Sequence, residues 1–276
     1  MSLFPDFKRG HGDAADAQRD ERVRVELRAR DIAYAYGRNQ PVLERVRADI
    51  TPGSFLAILG VNGCGKSTLL GCLDGMIEPA RGEIELGGAA LSSYPRDDRA
   101  QRIALVAQHS HANRLTVFDA LLLGRKTYIK SAPNDADFAA VERVVDELNL
   151  HDLVLRYVDE LSGGEYQKVM IGRALVQETD IVLLDEPTNN LDMANQAEVM
   201  SLVRSIVDER DIAAAAVMHD LNLSLRYCDR FLMVKDGLVA AYGDVNVITP
   251  ESVADVYGVD VEIIEHRGRR IVVPFN

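Results

Sequence analysis

Residues 60–68 read Gly-Val-Asn-Gly-Cys-Gly-Lys-Ser-Thr, which are the types and the order that a phosphate-binding loop needs. They follow Phe55–Leu59, an apolar run of strand length, and they precede a segment that can form a helix. Glycines let backbone N–H groups approach an anion closely, and the first turn of a helix offers further unpaired donors. The lysine can reach the β- and γ-phosphates of a nucleotide, and the following hydroxyl can bind Mg²⁺. The predicted nucleotide-binding residues in this loop are Gly60, Asn62, Gly63, Gly65, Lys66, Ser67 and Thr68.

Two further segments carry candidate chemistry. Residues 161–165 read Leu-Ser-Gly-Gly-Glu and lead into a helical stretch, so they form a second turn of small residues that can hold an anion. The apolar strand Ile181–Leu184 ends at Asp185 and Glu186. A carboxylate at the end of such a strand can hold the Mg²⁺ shell, and its neighbour can accept a proton from an attacking water. We expect Asp185 to serve the metal and Glu186 to act as the general base.

The phosphate loop, the Leu-Ser-Gly-Gly-Glu turn and the strand ending in Asp-Glu, in this order, closely resemble the ATP-binding cassette (ABC) ATPases. The resemblance extends from about residue 23 to the C-terminus. It implies an α/β fold, a P-loop NTPase (RecA-like) core with a mainly parallel sheet, an antiparallel β subdomain and a helical insert subdomain. It also implies that ATP and Mg²⁺ bind and that ATP is hydrolysed.

The same resemblance assigns roles to residues whose types alone would say little. Gln108 follows the strand Ile103–Ala107, where the family has a lid glutamine that senses Mg²⁺ and water. His219 follows the strand Ala213–Met218, where the family has a switch histidine that contacts the γ-phosphate. Tyr36 lies where the family has an aromatic residue that stacks on adenine. Tyr34 is the alternative for this stacking role, and a tyrosine packed in the core is the alternative reading of Tyr36.

In this family the Ser-Gly-Gly turn faces the γ-phosphate that is bound by another subunit. The resemblance therefore places Ser162, Gly163 and Gly164 at a nucleotide shared between two cassettes, and it places Asp192 in the loop that crosses their interface. Asn189 and Asn190 depart mildly from the residues that the family usually has before its Leu-Asp pair. Because one chain carries one set of motifs, we expect a homodimer or a pairing with a second cassette protein.

These residues need strands and helices to position them, and the sequence pattern indicates βα units in alternation. A helical insert is expected between the phosphate loop and the Asp-Glu strand, and no internal repeat stands out. The expected strands and helices are strands at Val23–Leu27, Ile32–Tyr36, Phe55–Leu59, Ile84–Leu86, Ile103–Ala107, Ile181–Leu184, Ala213–Met218 and Phe231–Lys235, and helices at Thr116–Leu123, Ala136–Leu150, Asn195–Asp208, Leu221–Cys228 and Glu251–Tyr257, with a small β-pair in the tail.

Length and composition limit the function further. The chain has 276 residues and a formal charge of −12, which argues against a nucleic-acid partner because no basic excess exists to neutralise phosphates. No apolar stretch approaches the roughly 20 residues of a membrane span. We expect a flexible N-terminal extension at 1–22, an ABC ATPase domain at 23–245 with its helical insert at about 109–165, and a short C-terminal tail at 246–276 that packs on the core.

The interpretation that combines these features is the ATP-hydrolysing subunit of a membrane importer. It predicts integral-membrane permease subunits as partners, an indirect link to a periplasmic or surface substrate-binding protein, and a peripheral position on the cytoplasmic face of the inner membrane. Two segments, 115–125 and 218–223, and the short tail with Thr249-Pro-Glu and Val256-Tyr-Gly-Val, resemble importers of iron–siderophore complexes, haem and cobalamin. Import of molybdate or tungstate, and a non-transport ABC scaffold ATPase, remain the alternatives.

Overall fold

The structure is a computed structural model that describes residues 25–37, 40–108 and 114–275, so the expected extension at 1–22 lies outside the described residues. The strands in these ranges are β1 (Leu27–Tyr36), β2 (Gln40–Ile50), β3 (Phe55–Leu59), β4 (Arg81–Leu86), β5 (Ala89–Ala90), β6 (Ile103–Val106), β7 (Ile181–Asp185), β8 (Ala213–Val217), β9 (Arg230–Lys235), β10 (Leu238–Gly243), β11 (Val261–His266) and β12 (Arg269–Pro274). The α-helices are α1 (Lys66–Leu73), α2 (Arg96–Ala100), α3 (Val117–Leu122), α4 (Asp135–Glu147), α5 (Gly163–Val176), α6 (Met193–Arg210), α7 (Leu221–Tyr227) and α8 (Pro250–Tyr257).

A six-stranded sheet with the order β10-β9-β3-β8-β7-β6 forms the centre of the fold. Its strands from β9 to β6 run parallel, and β10 closes one edge in the antiparallel sense. The expected α/β fold with a mainly parallel sheet is confirmed. Because β3, β8, β7 and β6 are parallel neighbours, their carboxyl ends meet at one edge of the sheet. The loops that follow these four strands begin at Gly60, Met218, Glu186 and Ala107.

Both faces of this sheet are covered, as expected for parallel strands that are apolar at every position. Every residue of β3 and of β8 is buried. Along β3, Phe55, Ala57 and Leu59 belong to one apolar cluster, while Leu56 and Ile58 belong to the other. This alternation follows from the two-residue period of a strand. The central sheet therefore has one apolar core on each face. One core is shared with the insert and the C-terminal tail, and the other is shared with the antiparallel sheet and α1.

The antiparallel subdomain is a four-stranded sheet with the order β2-β1-β4-β5. The pattern predicted two strands, at Val23–Leu27 and at Ile32–Tyr36; residues 23 and 24 lie outside the described residues. From Leu27 onward the structure has one strand, β1, whose register shifts between Ala29 and Ile32, so the predicted break between two strands is wrong. Asp31 in this irregular stretch has a φ of 52°. Neither β2 nor β10 was expected: exposed charged residues interrupt the apolar pattern of β2, and β10 is a partly exposed strand at the edge of its sheet.

A buried arginine in the insert contacts both the insert helix α4 and the C-terminal end of α5. Arg125 follows α3 and is 6% exposed. Its Nε donates to Asp137 Oδ1 in α4 at 3.1 Å, and its Nη1 donates to the carbonyl of Val176, the last residue of α5, at 3.1 Å and to Glu178 Oε2 at 2.8 Å. A buried charge is stable when it is paired in this way, and removing one partner leaves the other unpaired. In the same segment Val117, Ala120 and Leu121 are also buried, while the side chain of Leu123 is exposed.

The expected short helix and β-pair of the tail are present as α8 and as the antiparallel pair β11 and β12. Val253 and Val256 of α8, together with Val261 and Val272 of the β-pair, are buried in the cluster under the insert. Within the described ranges, no helix combines the length and the apolar composition that crossing a lipid bilayer would require.

Candidate active site

The phosphate loop connects β3 to α1, as the sequence indicates. Gly65 is the residue before α1 and has a φ of +106°. A Cβ at this position would also lie 2.7 Å from the carbonyl oxygen of Val42, so both conformation and space require glycine here. The backbone of the loop therefore turns directly into the N-terminus of α1, where unpaired N–H groups favour an anion.

Lys66 is the first residue of α1 and its side chain is 5% exposed. Its Nζ donates to the carbonyls of Gly60 and Val61, each at 2.9 Å. The loop borders a cavity of about 640 Å³, which is large enough for a nucleotide. The residues that line this cavity are Tyr36, Val42, Asn62, Gly63, Gly65, Lys66, Ser67, Thr68, Gln108, Glu186, Asn189 and His219.

Tyr36 lies at the cavity with half of its surface exposed. Its hydroxyl is 3.4 Å from Thr68 Oγ1, and its ring meets the ring of Tyr34 edge-on at 5.0 Å. Tyr34 packs against the apolar cluster under the antiparallel sheet. Of the two tyrosines considered for base stacking, Tyr36 is therefore the one that lines the cavity, and its stacking on a base stays a prediction.

Asp185 and Ser67 come together across the sheet edge. The Ser67 Oγ donates to Asp185 Oδ1 at 3.2 Å. Burial raises the pKa of the Asp185 carboxyl, and the hydrogen bond from Ser67 acts in the opposite direction. A hydroxyl and a carboxylate are hard oxygen ligands, and Mg²⁺ is held by one or two such groups together with substrate phosphates and water. These residues fit Mg²⁺, and a cation beside Asp185 would stabilise its charged form.

Glu186 is at the centre of a hydrogen-bonded group at the cavity. Its Oε2 accepts from Gln108 Nε2 at 2.6 Å and from Asn189 Nδ2 at 2.9 Å, and its Oε1 lies 2.7 Å from His219 Nε2. The backbone of Glu186 has a φ of 51°, in the left-handed region. The carboxylate is therefore held in place by side chains from the ends of β6 and β8 and by the turn after β7. The residues expected to act in catalysis, Lys66, Gln108, Glu186 and His219, all line one cavity.

The Ser-Gly-Gly turn lies elsewhere on the chain, since Ser162, Gly163 and Gly164 do not line the described cavity. The Ser162 hydroxyl caps α5 by accepting from the Glu165 N–H at 3.4 Å. A Cβ on Gly164 would lie 2.4 Å from Asn195 Oδ1. Asp192 caps α6 by accepting from the Asn195 N–H at 2.8 Å. The Ser-Gly-Gly turn and the start of α6 therefore lie next to each other and form one surface, which is separate from the cavity of the same chain.

Asn189 and Val42 line the cavity and were not expected there. Asn189 stands where the sequence departs from the usual family pattern, and its side chain donates to Glu186. The sequence offered one indication of this contact, because Asn189 carries a side-chain amide three residues after Glu186, the expected general base. Val42 lies on β2, a strand that the pattern did not reveal.

The central sheet, the loop before α1 and the carboxylates at the end of β7 define a P-loop nucleoside triphosphatase fold. The sequence profile of the family described as ABC transporter matches residues 43–189. An ABC transporter ATP-binding protein of Methanocaldococcus jannaschii is 47% identical over 89% of this chain and 96% of its own length. The hemin import ATP-binding protein HmuV of Bordetella avium is 35% identical over 87% of this chain and 95% of its own.

The ferric enterobactin transport ATP-binding protein FepC of Escherichia coli is 35% identical over 91% of this chain and 94% of its own. A solved structure in an inward-facing conformation, of an ABC transporter described as metal-chelate type, superposes with a TM-score of 0.80. It is 29% identical in sequence, and the match covers 91% of this chain and 98% of that one. The chain belongs to the ABC transporter family. It is an ATPase with the ABC cassette fold.

Proposed function

We propose that this chain is the ATP-hydrolysing subunit of a binding-protein-dependent importer for iron–siderophore complexes, haem or cobalamin. ATP hydrolysis is supported by the position of Glu186, whose carboxylate is held at the cavity by Gln108, Asn189 and His219. The cargo class is supported by the relatives whose names state hemin import and ferric enterobactin transport, since both align over nearly their whole length.

In this proposal the phosphates of ATP bind to the backbone N–H groups of the loop at 60–68 and to Lys66. The loop glycines and the N-terminus of α1 supply these donors without rearranging the helix. Tyr36 stacks on the adenine through its exposed ring. The phosphoryl-transfer transition state needs mainly positioning and charge neutralisation, so these contacts orient the γ-phosphate.

Glu186 accepts the proton of the attacking water, and Gln108 and His219 hold its carboxylate towards the cavity. A general base must lie within hydrogen-bond reach of the proton that it takes, which the cavity-lining position of Glu186 permits. Ser67 and Asp185 would hold Mg²⁺, with Gln108 near the same edge of the sheet. When bound, the metal neutralises charge on the β- and γ-phosphates.

A second copy of the chain completes the site in this proposal. The turn and the start of α6 lie apart from the cavity of their own chain, at Ser162, Gly163, Gly164 and Asp192. This location supports the proposal that they contact the nucleotide bound by a second copy of the chain. The homodimer would bind integral-membrane permease subunits at the cytoplasmic face of the inner membrane. A periplasmic or surface binding protein would act through those subunits, and no nucleic acid is involved.

The test reconstitutes the chain with its cognate membrane subunits in vesicles and measures ATP hydrolysis. Activity should rise when a binding protein loaded with ferric chelate, haem or cobalamin is added, and the Glu186→Gln variant should show no rise. Stimulation by a molybdate-loaded protein alone would reject this cargo class in favour of oxyanion uptake. Hydrolysis that responds to no loaded binding protein would contradict the importer and favour a scaffold ATPase.

A further inference from the structure

The tail residues 256–259, Val-Tyr-Gly-Val, have no role in the site as described so far. Val256 is buried in the core, while Tyr257 is the last residue of α8 and Gly258 follows it with a φ of 69°. The helix ends here and the chain turns away towards β11. This turn leaves the tyrosine side chain directed at the phosphate loop, almost 200 positions earlier in the sequence.

The contact is made to Gly60, the first glycine of the loop. The Gly60 N–H donates to the Tyr257 hydroxyl at 3.1 Å, and the Gly60 carbonyl accepts from Lys66 Nζ at 2.9 Å. A Cβ at Gly60 would lie 2.3 Å from the carbonyl oxygen of Val234. The residue is therefore restrained on three sides, and its buried N–H has a partner that the tail supplies.

The hydroxyl stays neutral over the working pH range. Burial raises the pKa of Tyr257 to about 12. A neutral hydroxyl accepts the N–H bond without placing a negative charge beside the phosphates. Without this oxygen, the Gly60 N–H would be a buried donor with no partner on the tail, and such groups are costly.

The tail is attached firmly enough to hold this position. Asp255 of α8 pairs with Lys235 at 2.6 Å. Asn222 in α7 donates to the carbonyl of Val272 at 3.1 Å and accepts from its N–H at 2.8 Å, as a strand neighbour would. Because α7 begins two residues after His219, the tail contacts the segments that carry both Lys66 and His219.

We infer that Tyr257 is a positioning residue of the nucleotide site, which holds Gly60 and hence the carbonyl that accepts from Lys66. The inference rests on the proposed assignment of this loop to ATP. Its effect should appear in nucleotide affinity, because a loop that loses this restraint must be ordered again when ATP binds. On this inference, the C-terminal tail contributes to the nucleotide-binding site.

The test compares two tyrosine-to-phenylalanine variants of the full chain. Tyr257→Phe removes the hydroxyl at Gly60. Tyr242→Phe is the matched control, because the Tyr242 hydroxyl accepts from the Asp49 N–H at 2.9 Å and joins two strands away from the cavity. Both variants should lose about 2–4 °C in Tm. Tyr257→Phe should raise the ATP Kd and KM about 3- to 10-fold with kcat nearly unchanged.

Tyr242→Phe should leave the Kd within about twofold of wild type, since it is a substitution remote from the site. An equal, unchanged Kd in both variants would overturn the inference and reduce Tyr257 to a stabilising contact, while the proposed function would stand. Failure of the wild-type chain to bind ATP would overturn both.

Discussion

Glu186 adopts a backbone conformation that non-glycine residues rarely take, at φ 51°. Such a residue costs of order 1–3 kcal/mol, so the fold around it must hold it in place. The Asn189 N–H donates to the Glu186 carbonyl at 3.1 Å, and three side chains hold the carboxylate. The consequence is that Asp185 and Glu186, adjacent in sequence, serve different partners.

Replacing Glu186 by Gln should keep ATP binding and slow hydrolysis at least about 10²-fold, because the amide cannot accept a proton. With ATP and Mg²⁺ the variant should elute as a dimer from a sizing column. The matched control is Glu209→Gln, an exposed glutamate near the far end of α6. Hydrolysis near the wild-type rate in Glu186→Gln would remove Glu186 from the role of general base.

The location of Gln108, Glu186 and His219 at one edge of the sheet was predictable, because each follows a strand and parallel strands end together. The roles of Gln108 and His219 rest on the family resemblance and stay predictions. Their convergence on one carboxylate was not predictable, since it depends on side-chain rotamers and on the turn at Glu186. The contact from Asn189 depends on the same turn. Tyr257 was beyond prediction for another reason: no local pattern relates two residues so far apart in the chain.

At the scale of single elements, α1 does more than present the phosphate loop. Asp74 ends this helix, and burial raises the pKa of its carboxyl to about 6, while the charge of Arg99 acts in the opposite direction. The folded state therefore binds a proton more tightly than the unfolded chain does. The stability that this proton supplies is present at low pH and is lost as the pH rises through about 6.

Asp74→Asn should therefore stabilise the chain at pH 8 by up to about 3 kcal/mol, because it removes the cost of a buried charge. At pH 5 the gain should fall to about half, since wild-type Asp74 is then mostly protonated. Urea unfolding at the two pH values measures this difference. Asp152→Asn, at an exposed position, serves as the control, and an equal gain at both pH values would contradict the explanation.

The strands were predictable to different degrees for a physical reason. Buried parallel strands such as β3 and β8 are apolar throughout, so their pattern is unambiguous. The strands β2 and β10 are partly exposed, and β2 also carries charged residues, so neither shows a continuous apolar run. At Asp31 the two strands expected from the pattern are one strand with an irregular register.

At the scale of the whole molecule, the proposed function assigns two separate surfaces of the chain to one reaction. One is the cavity at the phosphate loop, and the other is formed by Ser162, Gly163 and Gly164 with the start of α6. Met193, next to Asp192, is 85% exposed on that second surface. A large apolar side chain at this position is suited to contact with another subunit.

Mixing Lys66→Ala chains with Ser162→Arg chains tests the shared site. In a mixed dimer both lesions fall in one composite site, and the other site is intact. Mixing should restore ATP-dependent dimerisation that neither variant shows alone. The chain carrying both substitutions is the control and should show none. No recovery, with mixed dimers shown to form, would count against a site built in trans.

The buried cluster around Arg125 has a mechanical consequence. It fixes the C-terminal end of α5, a rod of 14 residues and about 21 Å, while the opposite end carries the Ser162 turn. If α5 rotates about its end at Arg125 by about 10°, Ser162 at the opposite end moves by about 4 Å. That displacement exceeds the tolerance of a hydrogen bond, so we expect a rotation of this size to be enough to engage or release the phosphate that the proposed function places at the Ser162 turn.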